Sequence, residues 1–141
     1  MAFSIIETSW DEHRAELSAL RDRIFIGEQG VPEELEWDGA DPASRHFLAL
    51  DDDQQPIGCI RLLGSGQISR LCVLETRRNS GIGRALLVAA EEAARAAGMR
   101  EIFLYAQTHA TSFYEAAGFA VSGGIFMDAN IPHRQMFKPL V

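Results

Sequence analysis

The chain is poor in cysteine and has no long apolar run, and each shortage excludes a class of protein. Only two of its 141 residues are cysteines, Cys59 and Cys72, and no Cys-x-x-Cys or His-x-x-x-His spacing occurs. Both cysteines lie in apolar runs, so we predict two buried thiols, no disulfide and no metal site. No apolar run approaches the ~20 residues of a membrane span. Residues 1–8 also lack the basic start and apolar stretch of a signal peptide. We therefore expect a cytoplasmic protein without a membrane partner.

Basic residues are also scarce. The chain carries 13 basic and 20 acidic residues, for a net charge of -7, and Lys138 is its sole lysine. This balance argues against nucleic acid as a partner. A hydrophobic content of 47% with 23% charged residues is ordinary for a globular protein, and 141 residues are enough for one core. We predict one domain over residues 1–141.

Hydrophobic spacing predicts strands and helices in alternation, which is typical of an α/β chain. The predicted strands are residues 3–7, 46–50, 57–63, 68–74, 101–106, 119–122 and 134–140. The predicted helices are residues 10–25, 81–97 and 111–117. Gly, Pro and Asp punctuate residues 27–44, which we expect to be irregular.

Two glycines stand where the predicted strand 68–74 gives way to the predicted helix 81–97. Gly81 and Gly83 would let a ligand approach backbone N–H groups that have no intrahelical partner, at the positive end of the helix dipole. Three arginines flank them: Arg77, Arg78 and Arg84. The spacing predicts an anion site, although glycines here can equally serve a tight turn or close packing. Two better-known phosphate-binding patterns are absent here. Gly-x-x-x-x-Gly-Lys-Ser/Thr does not occur, and Gly-x-Gly-x-x-Gly fails because position 86 is leucine.

A second motif follows one strand and one helix later. Residues 110–119 read Ala-Thr-Ser-Phe-Tyr-Glu-Ala-Ala-Gly-Phe. Together with Arg78-x-x-Gly81-x-Gly83, this segment resembles the GCN5-related N-acetyltransferase (GNAT) superfamily. Further segments resemble the ElaA/YjcF-like branch of that superfamily: residues 23–29, Glu36-x-Asp38-x-x-Asp41, His46 and Ile131-Pro132-His133-x-x-Met136.

The resemblance implies an α/β (α+β) GNAT fold, with a central mixed, mostly antiparallel sheet of about six or seven strands and about four flanking helices. It implies acetyl-coenzyme A as the acetyl donor. The implied pyrophosphate-binding residues are Arg78, Asn79, Ser80, Gly81, Ile82, Gly83 and Arg84. The strand Leu71-Cys72-Val73 would pair with the pantetheine arm, and a backbone N–H near Val73 would polarise the thioester carbonyl.

Tyr114 matches the family tyrosine that protonates the departing thiolate. A phenol with a pKa of ~10 is a plausible donor to a thiolate with a pKa of ~8.5. The alternative is an aromatic side chain that only packs on a short helix. Gln107 stands three residues before Ala110, where the family often has asparagine, and the resemblance implies that its amide contacts the cofactor.

The acceptor implied by the resemblance is a small-molecule or peptide amine, which must lose a proton before it attacks. The segment of residues 28–41 carries six acidic residues and no basic one. It is either a solvated loop or a region that attracts a cationic acceptor and supplies a base. The candidate bases there are Glu28, Glu36 and His46. His133, before the last predicted strand, is a further candidate because histidine is the side chain that ordinarily changes charge near neutral pH, whereas His109 is expected to be structural.

Three alternatives stay open at this point. Cys72 could carry the acetyl group in a ping-pong mechanism, but its apolar setting favours direct attack in a ternary complex. The domain could bind acyl-CoA without catalysis, or it could be an unrelated phosphate-binding module. The resemblance also favours a homodimer, since many relatives are dimers.

Overall fold

Seven strands form two antiparallel sheets in the computed structural model, which describes residues 2–141. The first sheet has the order β1-β2-β3-β4, with β1 at Phe3–Thr8, β2 at Arg45–Asp51, β3 at Pro56–Leu62 and β4 at Ile68–Val73. The second has the order β5-β7-β6, with β5 at Glu101–Gln107, β6 at Ala120–Asp128 and β7 at Ile131–Pro139. The predicted α/β fold of six or seven strands and four helices is confirmed, with the central sheet divided in two.

Among residues 2–141, one backbone bridge joins the two sheets. Gln67 and Phe103 form a single parallel bridge, and the Phe103 N–H donates to the Gly66 carbonyl at 3.1 Å. Within residues 2–141 no further bridge joins β4 to β5. The edge of β4 that faces β5 is therefore unpaired, and a cavity opens between these two strands.

Four helices pack against the sheets: α1 at Trp10–Arg21, α2 at Glu33–Glu36, α3 at Ile82–Ala96 and α4 at Thr111–Ala116. Ser9 caps α1, because its hydroxyl accepts a hydrogen bond from the Glu12 N–H at 3.2 Å. A π-helical segment at Asp22–Glu28 continues α1 beyond the predicted end. The short α2 lies in the segment predicted to be irregular. Within residues 2–141 no helix is long and apolar enough to cross a membrane.

Helix α3 covers the core with one apolar face. Its buried residues are Ile82, Leu86, Leu87, Ala90 and Ala94. Helical spacing in the sequence predicts a buried stripe of Ile82, Leu86, Ala89 and Ala93. It is confirmed at Ile82 and Leu86, whereas Ala89 and Ala93 are only partly buried. The buried alanines are Ala90 and Ala94, one position further along, because an apolar face of a helix continues by spacings of either three or four residues.

The last two strands are longer than predicted. The Ala129-Asn130 turn joins them with φ values of 52° and 62°, as a tight hairpin turn with right-handed strand twist requires. Gly123 and Gly124, which follow the predicted strand 119–122, fall at an irregularity in the β6–β7 register and do not end β6. Ile131, Pro132 and His133, predicted to form a loop, are therefore in β7.

An alternating ring of ion pairs anchors residues 36–41 to the first sheet. We name it the ion-pair ring; its members are Arg21, Arg61, Arg70, Glu36, Asp38 and Asp41. The Arg21 guanidinium lies 2.7 Å from the Glu36 carboxylate and 2.6 Å from that of Asp41. Arg61 lies 3.1 Å from Asp41 and 2.9 Å from Asp38. Arg21, Arg61, Glu36 and Asp41 are each less than 5% exposed.

Arg70 closes the ion-pair ring. Its guanidinium lies 2.9 Å from Glu36 and 3.3 Å from Asp38, so each carboxylate serves two arginines and each arginine two carboxylates. Hydrogen bonds from Arg61 hold the pKa of the Asp38 carboxyl well below its usual range. The resulting stabilisation is present above the ordinary pKa of ~4 and is lost as the pH falls below it.

Arg61→Met removes one cation of the ion-pair ring and leaves Asp41 buried with a single partner. We expect the free energy of unfolding to fall by about 3–5 kcal/mol, because an uncompensated buried carboxylate is costly. Denaturant unfolding at pH 7 measures this. The control is Arg45→Met, whose pair with Glu7 has side chains 41% and 44% exposed; we expect a loss of about 1 kcal/mol or less there. Similar losses in both variants would contradict the role of the ion-pair ring.

Candidate active site

A cavity of about 900 Å³ lies between β4 and β5. This volume is in the range of about 300–1,000 Å³ that is typical of small-molecule sites. Most of the predicted site residues line it: Glu36, Leu71, Cys72, Val73, Arg78, Asn79, Gly81, Ile82, Gly83, Arg84, Gln107, Tyr114 and His133. Glu28 and Ser80 are not among its lining residues. Both predicted motifs therefore contribute to one site.

The glycine turn, residues 78–84, forms one end of the cavity. Asn79 and Gly81 have φ values of 63° and 87°, and α3 begins at Ile82 without a side-chain cap. The first N–H groups of α3 are thus available to an anion. A Cβ at Gly83 would lie 3.6 Å from the Phe113 ring, an ordinary contact, so packing does not demand glycine there. The Ser80 hydroxyl turns back and donates to the Arg77 carbonyl.

Arg78 connects the glycine turn to the π-helical segment. Its guanidinium binds both oxygens of Glu28, at 2.8 and 2.6 Å, and its Nε donates to the Val73 carbonyl at 3.0 Å. The hydrogen bonds from Arg78 lower the pKa of Glu28. Glu28 is therefore held as a carboxylate by an arginine, which makes it a poor proton acceptor.

Glu36 and His46, two further candidate bases, also have partners in the structure. Glu36 lines the cavity, but it is 2% exposed and belongs to the ion-pair ring. His46 is 1% exposed, its Nε2 lies 2.9 Å from the Asp41 carbonyl oxygen, and burial lowers its pKa. His46 is not among the cavity-lining residues. These contacts give both residues a structural role.

Tyr114 lies on α4, half-buried at the cavity wall. Its ring makes edge-to-face contacts with Phe113 and Phe119, at centroid distances of 5.0 and 6.0 Å. Burial raises the pKa of Tyr114 to about 12. The hydroxyl consequently stays protonated at neutral pH and can act as a hydrogen-bond or proton donor.

His133 faces the cavity from β7. Its Nδ1 lies 2.7 Å from the Ile131 carbonyl oxygen, and its ring stacks on Phe126 at 5.9 Å. A carbonyl oxygen only accepts hydrogen bonds, so Nδ1 carries the proton and Nε2 of the neutral ring is left as a proton acceptor. Of the four predicted bases, His133 alone combines a place at the cavity with an available acceptor nitrogen.

Gln107 ends β5 and bonds to two other side chains. Its Nε2 donates to Oε1 of Gln29 at 2.8 Å, and its Oε1 lies 2.7 Å from Nε2 of His109. The amide thus lies at the cavity and joins Gln29, just after the π-helical segment, to His109, just before α4. His109, predicted to be structural, also lines the cavity.

Several cavity residues were not predicted. Arg70 has a φ of 57° within β4, and no local pattern announces this irregularity. Phe25, Val31, Leu35, Tyr105 and Ile131 also line the cavity. The apolar side chains between positions 25 and 35 could have indicated that this segment lines a cavity, because a fully solvated acidic loop would leave them exposed to water.

The two cysteines are directly opposite each other on β3 and β4. Cys59 and Cys72 are 1% and 5% exposed, with their sulfurs 3.5 Å apart. The hydrogen bond with Cys59, together with burial, raises the pKa of the Cys72 thiol. A neutral buried thiol is a poor nucleophile. Within residues 2–141 no group of three or more His, Cys, Asp and Glu side chains is placed to hold a metal ion.

Known proteins resemble this chain along most of its length. The family model of the acetyltransferase (GNAT) domain matches residues 14–140. The uncharacterized N-acetyltransferase YjcF of Bacillus subtilis is 39% identical over 123 residues, covering 84% of this chain and 87% of the relative. An acyl-CoA N-acyltransferase from Pseudomonas aeruginosa is 26% identical, with a TM-score of 0.85, covering 97% of this chain and 99% of that one. Escherichia coli ElaA is 26% identical, with a TM-score of 0.87, covering 96% and 99%.

Neither thiol should react in the folded protein. We expect a thiol-reactive disulfide reagent at pH 8 to label the native protein about a hundredfold or more slowly than the protein in denaturant, because attack requires local opening. Absorbance of the released thiolate gives both rates, and two thiols per chain should react in denaturant. Rapid native labelling that disappears in Cys72→Ala would show a reactive Cys72 instead.

Proposed function

The chain belongs to the GNAT acetyltransferase family, in the branch of YjcF and ElaA, and is an acyltransferase; on that premise we propose that it transfers an acetyl group from acetyl-coenzyme A to a primary amine. The observation that carries the proposal is that a single cavity contains the glycine turn, the unpaired edge of β4 and Tyr114. Acetyl-coenzyme A has a part for each of these features. The glycine turn can bind its pyrophosphate, the strand edge can pair with its amide groups, and Tyr114 can donate a proton to its sulfur.

The donor would lie along β4 with its pyrophosphate at the glycine turn. The backbone N–H groups there and the start of α3 favour negative charge. Leu71, Cys72 and Val73 present the edge of β4 that pairs with no strand, so the amide groups of the pantetheine arm can bond to it as a further strand would. These residues fit acetyl-coenzyme A as a co-substrate.

The transfer would proceed by direct attack in a ternary complex. The amine nitrogen bonds to the thioester carbonyl carbon, the carbon–sulfur bond breaks, and the electron pair leaves with sulfur. A backbone N–H near Val73 stabilises the oxyanion, and the Tyr114 hydroxyl donates a proton to the thiolate. His133 Nε2 takes the proton that the amine loses, directly or through one water. The buried, neutral Cys72 thiol has no part in this route.

Titration calorimetry and a thiol-release assay together test the proposal. We expect acetyl-coenzyme A to bind and ATP not to compete with it, and we expect release of free coenzyme A with at least one amine. Binding without release for any amine would favour a noncatalytic acyl-CoA-binding domain. Binding of ATP alone would favour an unrelated phosphate-binding module.

Gly83→Ala tests the glycine turn. The added methyl has ordinary contacts in the free protein, and alanine favours a helix over glycine by about 0.5–1 kcal/mol, so stability should be kept or raised. The methyl would, however, stand where the pyrophosphate approaches the backbone. We expect the calorimetric Kd of acetyl-coenzyme A to rise about tenfold, or about 1.4 kcal/mol. Gly124→Ala, where a Cβ meets nothing within 4 Å, is the control. Equal affinities in the two variants would argue against the site.

Tyr114→Phe tests the proton donor. At saturating acetyl-coenzyme A we expect kcat to fall about 10²-fold or more with an unchanged Kd for the donor, since only the hydroxyl is lost. Because the pKa of Tyr114 is about 12, kcat of the natural protein should not fall as the pH rises from about 8 to 10. Steady-state rates over that range measure both effects. An unchanged kcat in the variant would overturn the acid role.

A further inference from the structure

One part of the cavity wall is apolar and partly uncovered. It consists of five side chains from the π-helical segment, the α2 region, β5 and β7, and we call it the apolar wall: Phe25, Val31, Leu35, Tyr105 and Ile131. Leu35 is 50% exposed and Tyr105 44% exposed. Tyr105 also makes an edge-to-face contact with Phe126, which is stacked on His133. Ring contacts therefore connect Tyr105 to the candidate base through Phe126, which does not itself line the cavity.

Four of the six acidic residues of segment 28–41 are ion-paired in the folded protein, and the other two, Glu33 and Glu34, are exposed and do not line the cavity. Glu28 is paired with Arg78, and Glu36, Asp38 and Asp41 are balanced by three arginines in the ion-pair ring. Of the cavity-lining residues within 2–141, only Glu36 and Asp128 are acidic. Between the two alternatives for this segment, a solvated loop or a region that attracts a cationic acceptor, the few acidic residues that line the cavity favour the first.

Asp128 is the one carboxylate at the cavity that makes no ion pair with another of the residues 2–141. It stands at the end of β6, across the hairpin turn from Ile131. Asp128 is exposed to solvent, and three of the residues that line the cavity are Arg70, Arg78 and Arg84. A ligand with several positive charges would therefore find one free carboxylate and several arginines of like charge. A ligand with one ammonium group would not meet this difficulty.

We propose that the acceptor is a primary amine with a single positive charge on an aromatic or branched apolar body. This inference rests on the proposed function. The apolar wall takes the body by burying it against Leu35 and Tyr105, while Asp128 attracts the ammonium group. The ammonium group loses one proton to solvent to become the amine, and His133 takes the second proton, which the nitrogen loses on attack. Polyamines and amino sugars with several amines are excluded by the same charge count.

A panel of amines tests the proposal by thiol release at saturating acetyl-coenzyme A. Phenethylamine and isopentylamine supply an apolar body, ethylamine lacks one, and spermidine and kanamycin carry several charges. We expect kcat/KM for phenethylamine to exceed that for ethylamine and for spermidine by about tenfold or more, since even one methylene in an apolar pocket is worth at least that factor. A higher kcat/KM for spermidine or kanamycin would overturn the proposal.

The same panel separates this inference from the proposed function. Thiol release with the polycations alone would leave the acetyltransferase proposal standing and remove only the assignment of the acceptor. Bound acetyl-coenzyme A with no release for any amine would remove both.

Leu35→Ser tests the apolar wall itself. Leu35 is half exposed, so the substitution should not unfold the chain. We expect the KM for phenethylamine to rise about fivefold to tenfold, as loss of a buried apolar side chain implies, with an unchanged KM for acetyl-coenzyme A. Leu35→Glu should raise the KM for phenethylamine further and should lower the KM for spermidine. The control is Ile125→Ser, which removes a 65% exposed apolar side chain that does not line the cavity.

Two results would overturn the role of the apolar wall. The first is an equal KM for phenethylamine in Leu35→Ser and Ile125→Ser. The second is a change in association state of Leu35→Ser in size-exclusion chromatography at matched concentration, because the wall would then be an interface between copies of the chain.

Discussion

The ion-pair ring is the constraint on which the rest of the site depends. Three arginines from α1, β3 and β4 face three carboxylates from one short segment, and each group is shared by two partners. The segment that carries those carboxylates is short of regular structure, so its position against the sheet comes from these charges rather than from a backbone ladder. Leu35 and Glu36, which line the cavity, are placed by it. A buried ion-pair network of this kind adds little net stability, but it makes alternative positions of the segment costly.

The second constraint is the single bridge between the two sheets. Within residues 2–141 one bridge, between Gln67 and Phe103, joins the two sheets, and the edge of β4 that faces β5 is left unpaired. Such an edge normally invites pairing with another chain. Here it faces a cavity that ends at the glycine turn, so a ligand with amide groups and a terminal anion can satisfy the edge and the helix N-terminus together.

Local sequence patterns predicted much of this arrangement. The strands that line the cavity, the start of α3 and the places of Gly83 and Tyr114 follow from periodicity, glycine spacing and the family motifs. The ion-pair partners of the acidic residues could not be predicted from local patterns. Glu28 and Arg78 are fifty residues apart in the sequence, and Glu36 and Arg70 are thirty-four residues apart. A run of acids looks solvated in sequence whether or not arginines elsewhere in the chain neutralise it. The ends of β6 and β7 were missed for a related reason, since cross-strand pairing overrides the local effect of Gly123 and Pro132.

Two consecutive residues, Glu28 and Gln29, hold opposite sides of the cavity. Glu28 bonds to Arg78 at the end of β4, and Gln29 bonds to Gln107 at the end of β5. These contacts share one stretch of backbone, which therefore bridges the ends of β4 and β5. A group that competes for Arg78 would displace Glu28, the neighbour of the residue that bonds to Gln107. Two ligands coupled through this stretch would each change the affinity for the other by the same factor.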